Sequence, residues 1–254
     1  MTEYTVYRII LFGFLGVAAV TAISLFFVTA PYGRHAKKGW GPLIPNKVAW
    51  IIMEAPASLL FLLYLIISDK DITITLIVLQ IIWQAHYFHR AFIFPLMLRS
   101  NEKDALSIIF LGLVFNSLNT YIQGRWVYTF SPMGAYDTSW LADPRFIIGV
   151  LIFAAGYFIN KQSDAITRRL WDPANPGYKI PFGGLYRLVS CPNYLGEIIT
   201  WIGWAVLTWS WAGLFFVVWT AANLVPRAIA NHRWYIEKFN DYPKERKAIV
   251  PYVL

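Results

Sequence analysis

The chain has 254 residues, of which 57% are apolar and only 14% charged, with a mean hydropathy of +0.49 and a net charge of +8. Soluble domains are about 45–50% apolar and about 25% charged, so this composition excludes an ordinary soluble domain and indicates a membrane protein. Cys191 is the single cysteine, which excludes an internal disulfide and a cysteine metal cluster.

Apolar runs divide the chain into predicted membrane spans, each needing about 20 apolar residues. The runs cover residues 7–30, 48–67, 72–98, 105–123, 146–160, 195–209 and 211–228. They predict an all-α bundle of seven transmembrane helices in a single domain, residues 1–254. The last two of these runs form one long run with Trp209-Ser210-Trp211 at its midpoint, so a tight turn there gives seven spans and one continuous helix gives six.

The basic residues predict the orientation. With the N-terminus outside, the inside segments hold 17 of the 22 Lys and Arg, and they comprise 31–47, 99–104, 161–194 and the tail from 226. The outside segments hold only Lys70, Arg125 and Arg145. Inside loops of membrane proteins carry excess Lys and Arg, so we expect a cytoplasmic C-terminus and seven spans rather than six.

Two acidic residues fall within the predicted spans, Glu54 and Glu197. A carboxylate at the bilayer centre costs roughly 2.5 kcal/mol or more, so an intramembrane acid predicts a functional site. Pro56 should bend the helix that carries Glu54, and Trp50 and Ser58 lie one turn to either side of the acid. The alternative is a glutamate that only hydrogen-bonds a neighbouring helix.

The third span carries the polar run His86-Tyr87-Phe88-His89-Arg90. In the alternative interpretation His89 and Arg90 lie at the cytoplasmic interface, and Arg90 extends its guanidinium to water. Two histidines three residues apart also suit a metal, but no third ligand has a similar placement, so we predict no metal site.

The fourth span has a polar stripe at positions i, i+3, i+4 and i+7, formed by Asn116, Asn119, Thr120 and Gln123. On an apolar helix such a stripe lines either a wet cavity or a contact with another helix, and the sequence leaves both open.

The inside segments contain no Walker A sequence and no G-x-G-x-x-G, which excludes a classical Rossmann domain. Asn160 and Asp164 stand one turn apart at the inner end of the fifth span, and residues 190–197 lead into the sixth. The tail adds Arg227, Asn231 and Tyr235. Together these residues form a basic, amide-rich and aromatic region at the cytoplasmic ends of the spans. Such a region could bind an anionic cofactor or lipid head groups, and composition alone does not distinguish these two ligands.

Together these motifs resemble the steroid 5-alpha-reductase family, over nearly the whole chain and most weakly before residue 30. The HYFHR run, the NYLGE run and the tail are the most specific, and the spacing is closest to the animal type 2 enzyme. The matching stretches are Glu54-Ala55-Pro56, His86 to Arg90, Gln123-Gly124, Asn160 with Ser163-Asp164, Tyr178 with Ile180-Pro181 and Gly183-Gly184-Leu185, Asn193 to Glu197, His232 to Tyr235, Asp241 to Lys244, and Arg246-Lys247-Ala248.

The resemblance implies a seven-helix membrane enzyme that binds NADPH from the cytoplasmic side and transfers hydride to C5 of a 3-oxo-Δ4-steroid, while C4 receives a proton. By position, Glu54 and Tyr87 would hydrogen-bond the 3-oxo group. The implied substrate-binding residues are Trp50, Arg90, Phe115, Asn116 and Asn119. The implied cofactor-binding residues are Asn160, Asp164, Arg168, Tyr178, Lys179, Asn193, Glu197, Arg227, Asn231 and Tyr235.

The chain departs from the animal type 2 pattern at three positions. That enzyme has arginines where this chain has Leu111 and Trp171, and a histidine where it has Asn231. Arg168, Arg169 and Lys179 are then the alternative sources of phosphate contacts.

The implied chemistry fits the residues found in the spans. Hydride addition to the β-carbon of an enone builds negative charge on the carbonyl oxygen, and donors aimed at that oxygen lower the barrier as an oxyanion hole does. Tyr87 can donate such a bond; Glu54 can do so only when protonated, and burial favours its neutral form. The nicotinamide carries the hydride, and the protein supplies orientation and electrostatics.

Three other interpretations remain open. A related membrane enoyl-CoA or polyprenol reductase would use other substrates. An isoprenylcysteine-type methyltransferase would bind S-adenosylmethionine and gives no reason for the Glu54 and Tyr87 pair. A non-enzymatic sterol- or lipid-binding protein would consume no NADPH. We expect a monomer in contact with membrane lipids, without a nucleic-acid partner, in a bacterial inner membrane or the endoplasmic reticulum.

Overall fold

The computed structural model describes residues 1–29, 33–35, 39–99, 102–175 and 177–254, and the protein is about 73% helical. The helices are α1 (Glu3–Phe27), α2 (Asn46–Ile66), α3 (Ile74–Phe88), α4 (Phe94–Met97), α5 (Leu106–Arg125), α6 (Pro144–Arg169), α7 (Pro192–Thr208) and α8 (Trp211–Lys238). Strands β1 (Leu43–Pro45) and β2 (Lys103–Ala105) pair antiparallel, with Leu43 opposite Ala105.

Seven of these helices coincide with the seven apolar runs, which confirms the helical architecture predicted from the sequence. Five, α1, α2, α5, α6 and α8, are long and apolar enough to cross a membrane. Helices α3 and α7 have 15 and 17 residues, and a π-helical turn, His89–Ile93, extends the helical path of α3 into α4. The chain is thus a membrane protein; seven crossings and the orientation of the termini stay predictions.

The contacts of the chain cluster in two compact units. Unit 1 comprises Met1–Phe12 and Pro31–Ile147, and unit 2 comprises Gly13–Ala30 and Ile148–Leu254. Each unit contains one part of the predicted site, and the assignment of residues 1–254 to a single domain stays a prediction.

In unit 1, α2 and α3 pack as an antiparallel pair. The Trp83 indole stacks on Phe61 with ring centroids 4.4 Å apart and donates a hydrogen bond to the Ala57 carbonyl over 2.7 Å. The Ser58 hydroxyl donates to the Gln84 side chain over 2.6 Å, and the Gln84 amide donates to the Ser58 carbonyl over 2.9 Å. These polar contacts fix the register of two otherwise apolar surfaces.

Helix α5 packs closely against α2 because two glycines face it. A Cβ on Gly112 would lie 2.8 Å from Met53 Sδ, and one on Gly124 would lie 2.4 Å from Tyr64 Cδ2. Both distances are shorter than real Cβ contacts, so a larger residue at either position would require the facing side chain or the helices to shift. The polar stripe of α5 is therefore held beside α2.

In unit 2, α6 and α7 approach each other at glycines spaced seven residues apart on each helix. A Cβ on Gly156 would lie 2.3 Å from the Thr200 nitrogen, and one on Gly196 would lie 2.5 Å from the Asn160 nitrogen. Small residues at membrane helix interfaces permit such backbone contact. This contact places Asn160 of α6 beside the first turns of α7.

A tight turn separates α7 from α8, as one of the two sequence interpretations predicted. Trp209 adopts left-handed angles, φ 44° and ψ 51°, and the Ser210 side chain accepts a hydrogen bond from the Gly213 nitrogen over 2.9 Å. This N-cap starts α8 anew. A single continuous helix over 195–228 is excluded.

Candidate functional site

Glu54 lies at a convergence of three elements within unit 1. Its side chain on α2 is buried, with 8% residue exposure. Oε1 accepts a hydrogen bond from Arg90 Nε of the π-helical turn over 3.0 Å, and Oε2 accepts one from Asn116 Nδ2 of α5 over 3.3 Å. Both carboxyl oxygens thus accept a hydrogen bond from a neighbouring element.

Arg90 is directed towards α2 by the π-helical turn that carries it. Its guanidinium carbon lies 4.9 Å from the centre of the Trp50 ring, and that ring meets Phe94 edge-on at 5.1 Å. Arg90 therefore pairs with Glu54 over an aromatic surface, whereas the alternative interpretation extended it to interfacial water. π-Helical turns are frequent at functional sites, and here the turn supplies the charge partner of the buried acid.

Tyr87 is 2% exposed and packs against the Trp83 ring at 4.7 Å and the His86 ring at 5.0 Å. Trp83, four residues before Tyr87, contacts Ala57 of α2. Arg90, three residues after Tyr87, contacts Glu54 of α2. Positions three and four residues apart share a helix face. Tyr87 is therefore on the face of α3 that meets α2, at the level of the turn carrying Glu54.

All four members of the α5 stripe are buried, with exposures of 6%, 0%, 0% and 1% for Asn116, Asn119, Thr120 and Gln123. Asn116 Nδ2 donates to the Met53 carbonyl over 2.7 Å as well as to Glu54, so at this position the stripe makes a helix–helix contact. Asn119 accepts from Gln123 over 3.4 Å, and its own Nδ2 has no hydrogen-bond partner among the described residues. Phe115, next to the stripe, is half-buried.

In unit 2, Glu197 is the second buried acid, at 8% exposure. Oε2 accepts from Asn160 Nδ2 over 3.0 Å, and Oε1 accepts from Trp201 Nε1 over 3.0 Å. Asn160 Nδ2 also donates to the Asn193 carbonyl over 3.0 Å. The other amide atom, Asn160 Oδ1, is buried and accepts no hydrogen bond from the described part of the chain.

Three further residues of the predicted cofactor set lie on α8. The Tyr194 hydroxyl accepts from Arg227 Nε over 3.0 Å and from Asn231 Nδ2 over 3.4 Å. Arg227 and Asn231 are buried, at 8% and 3% exposure. Tyr235 is 4% exposed and stacks on the Tyr242 ring at 5.2 Å, so α8 contacts the segment that follows it.

The remaining predicted cofactor residues lie near the surface of unit 2. Asp164 and Arg168 are partly buried near the end of α6, and Tyr178 packs edge-on against Trp234 at 5.1 Å. Lys179 Nζ lies 3.5 Å from Asp172 Oδ2. The backbone N–H of Ala174, and after it the charge of Lys179, hold the pKa of Asp172 below its usual range.

Sequence reasoning missed a second polar group in unit 2. Ser190 Oγ lies 2.6 Å from His232 Nδ1 and 2.6 Å from the Tyr242 hydroxyl. Arg246 is 2% exposed, with its guanidinium carbon 4.7 Å from the centre of the Phe182 ring and 5.2 Å from that of Tyr242. The contacts of Ser190 with His232 and Tyr242, and that of Arg246 with Phe182, join residues more than 40 positions apart, so local spacing carries no signal for them.

Among the described residues, no group of three or more His, Cys, Asp or Glu side chains is arranged to hold a metal ion. Among the described residues, each unit brings side-chain donors to one buried carboxylate: Arg90 and Asn116 to Glu54, and Asn160 and Trp201 to Glu197. Such groups bind carbonyl, carboxamide and phosphate groups.

Comparison with known proteins gives consistent matches across both units. The sequence model of the family described as 3-oxo-5-alpha-steroid 4-dehydrogenase matches residues 102–254. Steroid 5-alpha-reductase DET2 of Arabidopsis thaliana is 42% identical over 260 residues, covering 100% of this chain and 98% of the relative. 3-Oxo-5-alpha-steroid 4-dehydrogenase 1 of Rattus norvegicus is 37% identical over 240 residues, covering 93% and 91%, and that of Homo sapiens is 37% identical over 225 residues, covering 87% and 85%.

Proposed function

The chain belongs to the 3-oxo-5-alpha-steroid 4-dehydrogenase family of oxidoreductases, and on that premise we propose that it uses NADPH to reduce the 4,5 double bond of a 3-oxo-Δ4-steroid to a 5-alpha-3-oxosteroid. The observation that carries the proposal is the buried Glu54 of α2, which accepts hydrogen bonds from Arg90 and Asn116. Tyr87 lies on the face of α3 that meets the same helix. Membership confirms the family resemblance found in the sequence, whereas the likeness to the type 2 enzyme stays a prediction.

In this mechanism Glu54 and Tyr87 act on the 3-oxo group. Hydride addition at C5 moves the double-bond electrons towards the carbonyl, so negative charge builds on the 3-oxo oxygen and C4 then takes a proton. The Tyr87 hydroxyl donates a hydrogen bond to that oxygen, and Glu54 donates a second one in its protonated form. Donors placed in advance in an apolar site stabilise such charge more strongly than water does.

The Arg90 guanidinium gives the site its charge balance. When Glu54 is ionised, Arg90 cancels its charge; when Glu54 is protonated, Arg90 leaves the site with a net positive charge beside the developing enolate. Both states avoid an unpaired negative charge in the apolar interior, which would be costly.

Unit 2 would hold the nucleotide, and its residues fit that group. Asn160 Oδ1 is a buried acceptor without a partner in the described chain, and a nicotinamide carboxamide N–H would satisfy it. The other residues proposed to hold the cofactor are Asp164, Arg168, Tyr178, Lys179, Asn193, Glu197, Arg227, Asn231 and Tyr235. Bound NADPH supplies the hydride. The residues of the chain bind and orient it.

We further propose that Trp50, Arg90, Phe115 and Asn119 line the steroid pocket, and that the Asn119 donor faces a polar atom of the ligand or a water molecule. Buried donors without partners cost about 1–3 kcal/mol, which favours such a ligand. The substrate enters from the bilayer, in the endoplasmic reticulum or a bacterial inner membrane, and the protein acts as a monomer.

The test is NADPH oxidation by the purified protein with a panel of 3-oxo-Δ4-steroids. We expect nicotinamide absorbance to fall with these steroids, deuterium to move from labelled NADPH to C5, and the product to have 5-alpha stereochemistry. The matched control is the same steroid with a 3-hydroxyl group, which cannot form the enolate. Turnover of enoyl-CoA or a polyprenol alone, or steroid binding without NADPH consumption, would replace this proposal with a rival one.

A further inference from the structure

We infer that Asn116 is a positioning residue for Glu54 and makes no direct contact with the steroid. The inference rests on the proposed function, because it concerns the acid assigned to the 3-oxo group. It replaces the position-based assignment of Asn116 to the substrate pocket with a role that follows from its hydrogen bonds.

The donors of Asn116 are already used. A side-chain amide nitrogen has two hydrogens. In Asn116 one reaches the Met53 carbonyl over 2.7 Å and the other reaches Glu54 Oε2 over 3.3 Å. The Met53 carbonyl can only accept, so the amide nitrogen rather than the oxygen must face this side. No donor remains on Asn116 for the 3-oxo oxygen of a steroid.

The same two bonds join the acid to the part of α2 that precedes Pro56. Pro56 lies inside α2 and has no N–H, so it cannot donate the helical hydrogen bond to the Ile52 carbonyl. Asn116 binds the next carbonyl, that of Met53, and the side chain of the following residue, Glu54. It therefore holds the backbone and the carboxyl group in one fixed relationship next to the position where Pro56 removes a backbone hydrogen bond.

Helices α5 and α2 pack closely enough for the short side chain of Asn116 to reach both the Met53 carbonyl and Glu54. Gly112 lies one turn before Asn116, and a Cβ there would lie 2.8 Å from Met53 Sδ, so its absence lets α5 lie close to Met53 at that point. Aspartate in place of Asn116 would place a carboxylate oxygen, a third acceptor, against the Met53 carbonyl and Glu54 Oε2. Alanine would leave both of these oxygens without the hydrogen bond that Asn116 donates.

The first variant is Asn116→Ala. We expect kcat to fall about 10- to 100-fold, the loss typical of a reacting group displaced by about 1 Å, while KM for steroid and for NADPH stays near the wild-type value. The matched control is Ser117→Ala, since the Ser117 hydroxyl donates to the Leu113 carbonyl of its own helix over 2.8 Å. That control should keep wild-type kinetics.

A double-mutant cycle with Glu54→Gln makes the test decisive. If Asn116 acts only through Glu54, Asn116→Ala should cost no further activity in the Glu54→Gln background, with residual product measured by chromatography of labelled steroid. A raised steroid KM at unchanged kcat, additive losses in the double variant, or a wild-type rate for Asn116→Ala would overturn the inference.

The isosteric Asn116→Asp keeps the test open if the alanine variant fails to fold. We expect it to retain NADPH binding and to lose at least as much kcat as the alanine variant, and wild-type turnover would again contradict the inference. Failure of the proposed function looks different, because Glu54→Gln itself would then turn over steroid at the wild-type rate.

Discussion

Arg90 and Glu54 form a largely buried ion pair, with Nε of Arg90 3.0 Å from Oε1 of Glu54 and side-chain exposures of 25% and 11%. The pair joins α2 to the π-helical turn after α3. Removing one partner of such a pair leaves a buried charge without compensation, which is more destabilising than the pair is stabilising.

Replacing Arg90 with methionine should therefore lower the free energy of unfolding by about 1–3 kcal/mol. This loss is smaller than for a fully buried ion pair, because the Arg90 side chain is 25% exposed and solvent screens its charge. Thermal unfolding in detergent measures this. Arg90→Lys should recover part of the loss, and Glu54→Gln with Arg90→Met should be more stable than Arg90→Met alone. Equal stability of the wild type and Arg90→Met would show that the pair contributes nothing.

Gly156 should not tolerate a side chain, because its Cβ would lie 2.3 Å from the Thr200 nitrogen on α7. We expect Gly156→Ala to destabilise unit 2 by about 1–3 kcal/mol, since the two helix backbones must separate. Gly16→Ala on α1 is the matched control, with nothing within 4 Å of its Cβ, and should be neutral or slightly stabilising. Equal unfolding temperatures for the two variants would argue against this helix contact.

Loss of the Asn160 amide should weaken nucleotide binding. Asn160→Ala removes the buried Oδ1 and the donor to Glu197 Oε2, so we expect Kd for NADPH to rise about 10- to 100-fold. Titration of nicotinamide fluorescence measures this without turnover. Asn240→Ala, at an exposed position of the tail, is the control. An unchanged Kd for Asn160→Ala would remove Asn160 from the cofactor site.

Asp143 should make a small contribution to acid stability. Its hydrogen bonds with the Arg145 side chain lower its pKa to about 2. Because the folded value lies below that of the unfolded chain, near 4, the contribution is present above about pH 4 and is lost as the pH falls towards 2. Asp143→Asn should reduce the fall in unfolding temperature over this interval by no more than about 4 °C, since exposed pairs are weak. An identical acid profile would contradict the assignment.

The helices were predictable because long apolar runs in a membrane can only be helical. Their ends were less so: α6 continues to Arg169 and α8 to Lys238, past the apolar runs that ended at 160 and 228. Helix formation depends on backbone hydrogen bonds and not on hydropathy, so polar residues such as Asn231 extend a helix beyond its apolar part.

The candidate site was predictable only in its composition. Glu54 and the stripe of α5 were evident as polar residues in apolar runs, and the burial of both is confirmed. The pairing of Glu54 with Arg90, 36 positions away, depends on a π-helical turn that no pattern in the sequence indicates. Tyr194 was predicted only as part of a motif. Its contact with Arg227 arises from the packing of α7 on α8, which the sequence pattern does not indicate.

The steady-state rate of steroid reduction by Glu54→Gln and Tyr87→Phe, measured together with NADPH affinity, tests the central claim most directly. Both changes are nearly isosteric and lie in unit 1, so we expect folding and Kd for NADPH to persist. Each should lower kcat by about 100-fold or more, the usual loss when an oxyanion donor is removed. Wild-type rates in both variants would contradict the claim that these two side chains polarise the 3-oxo group.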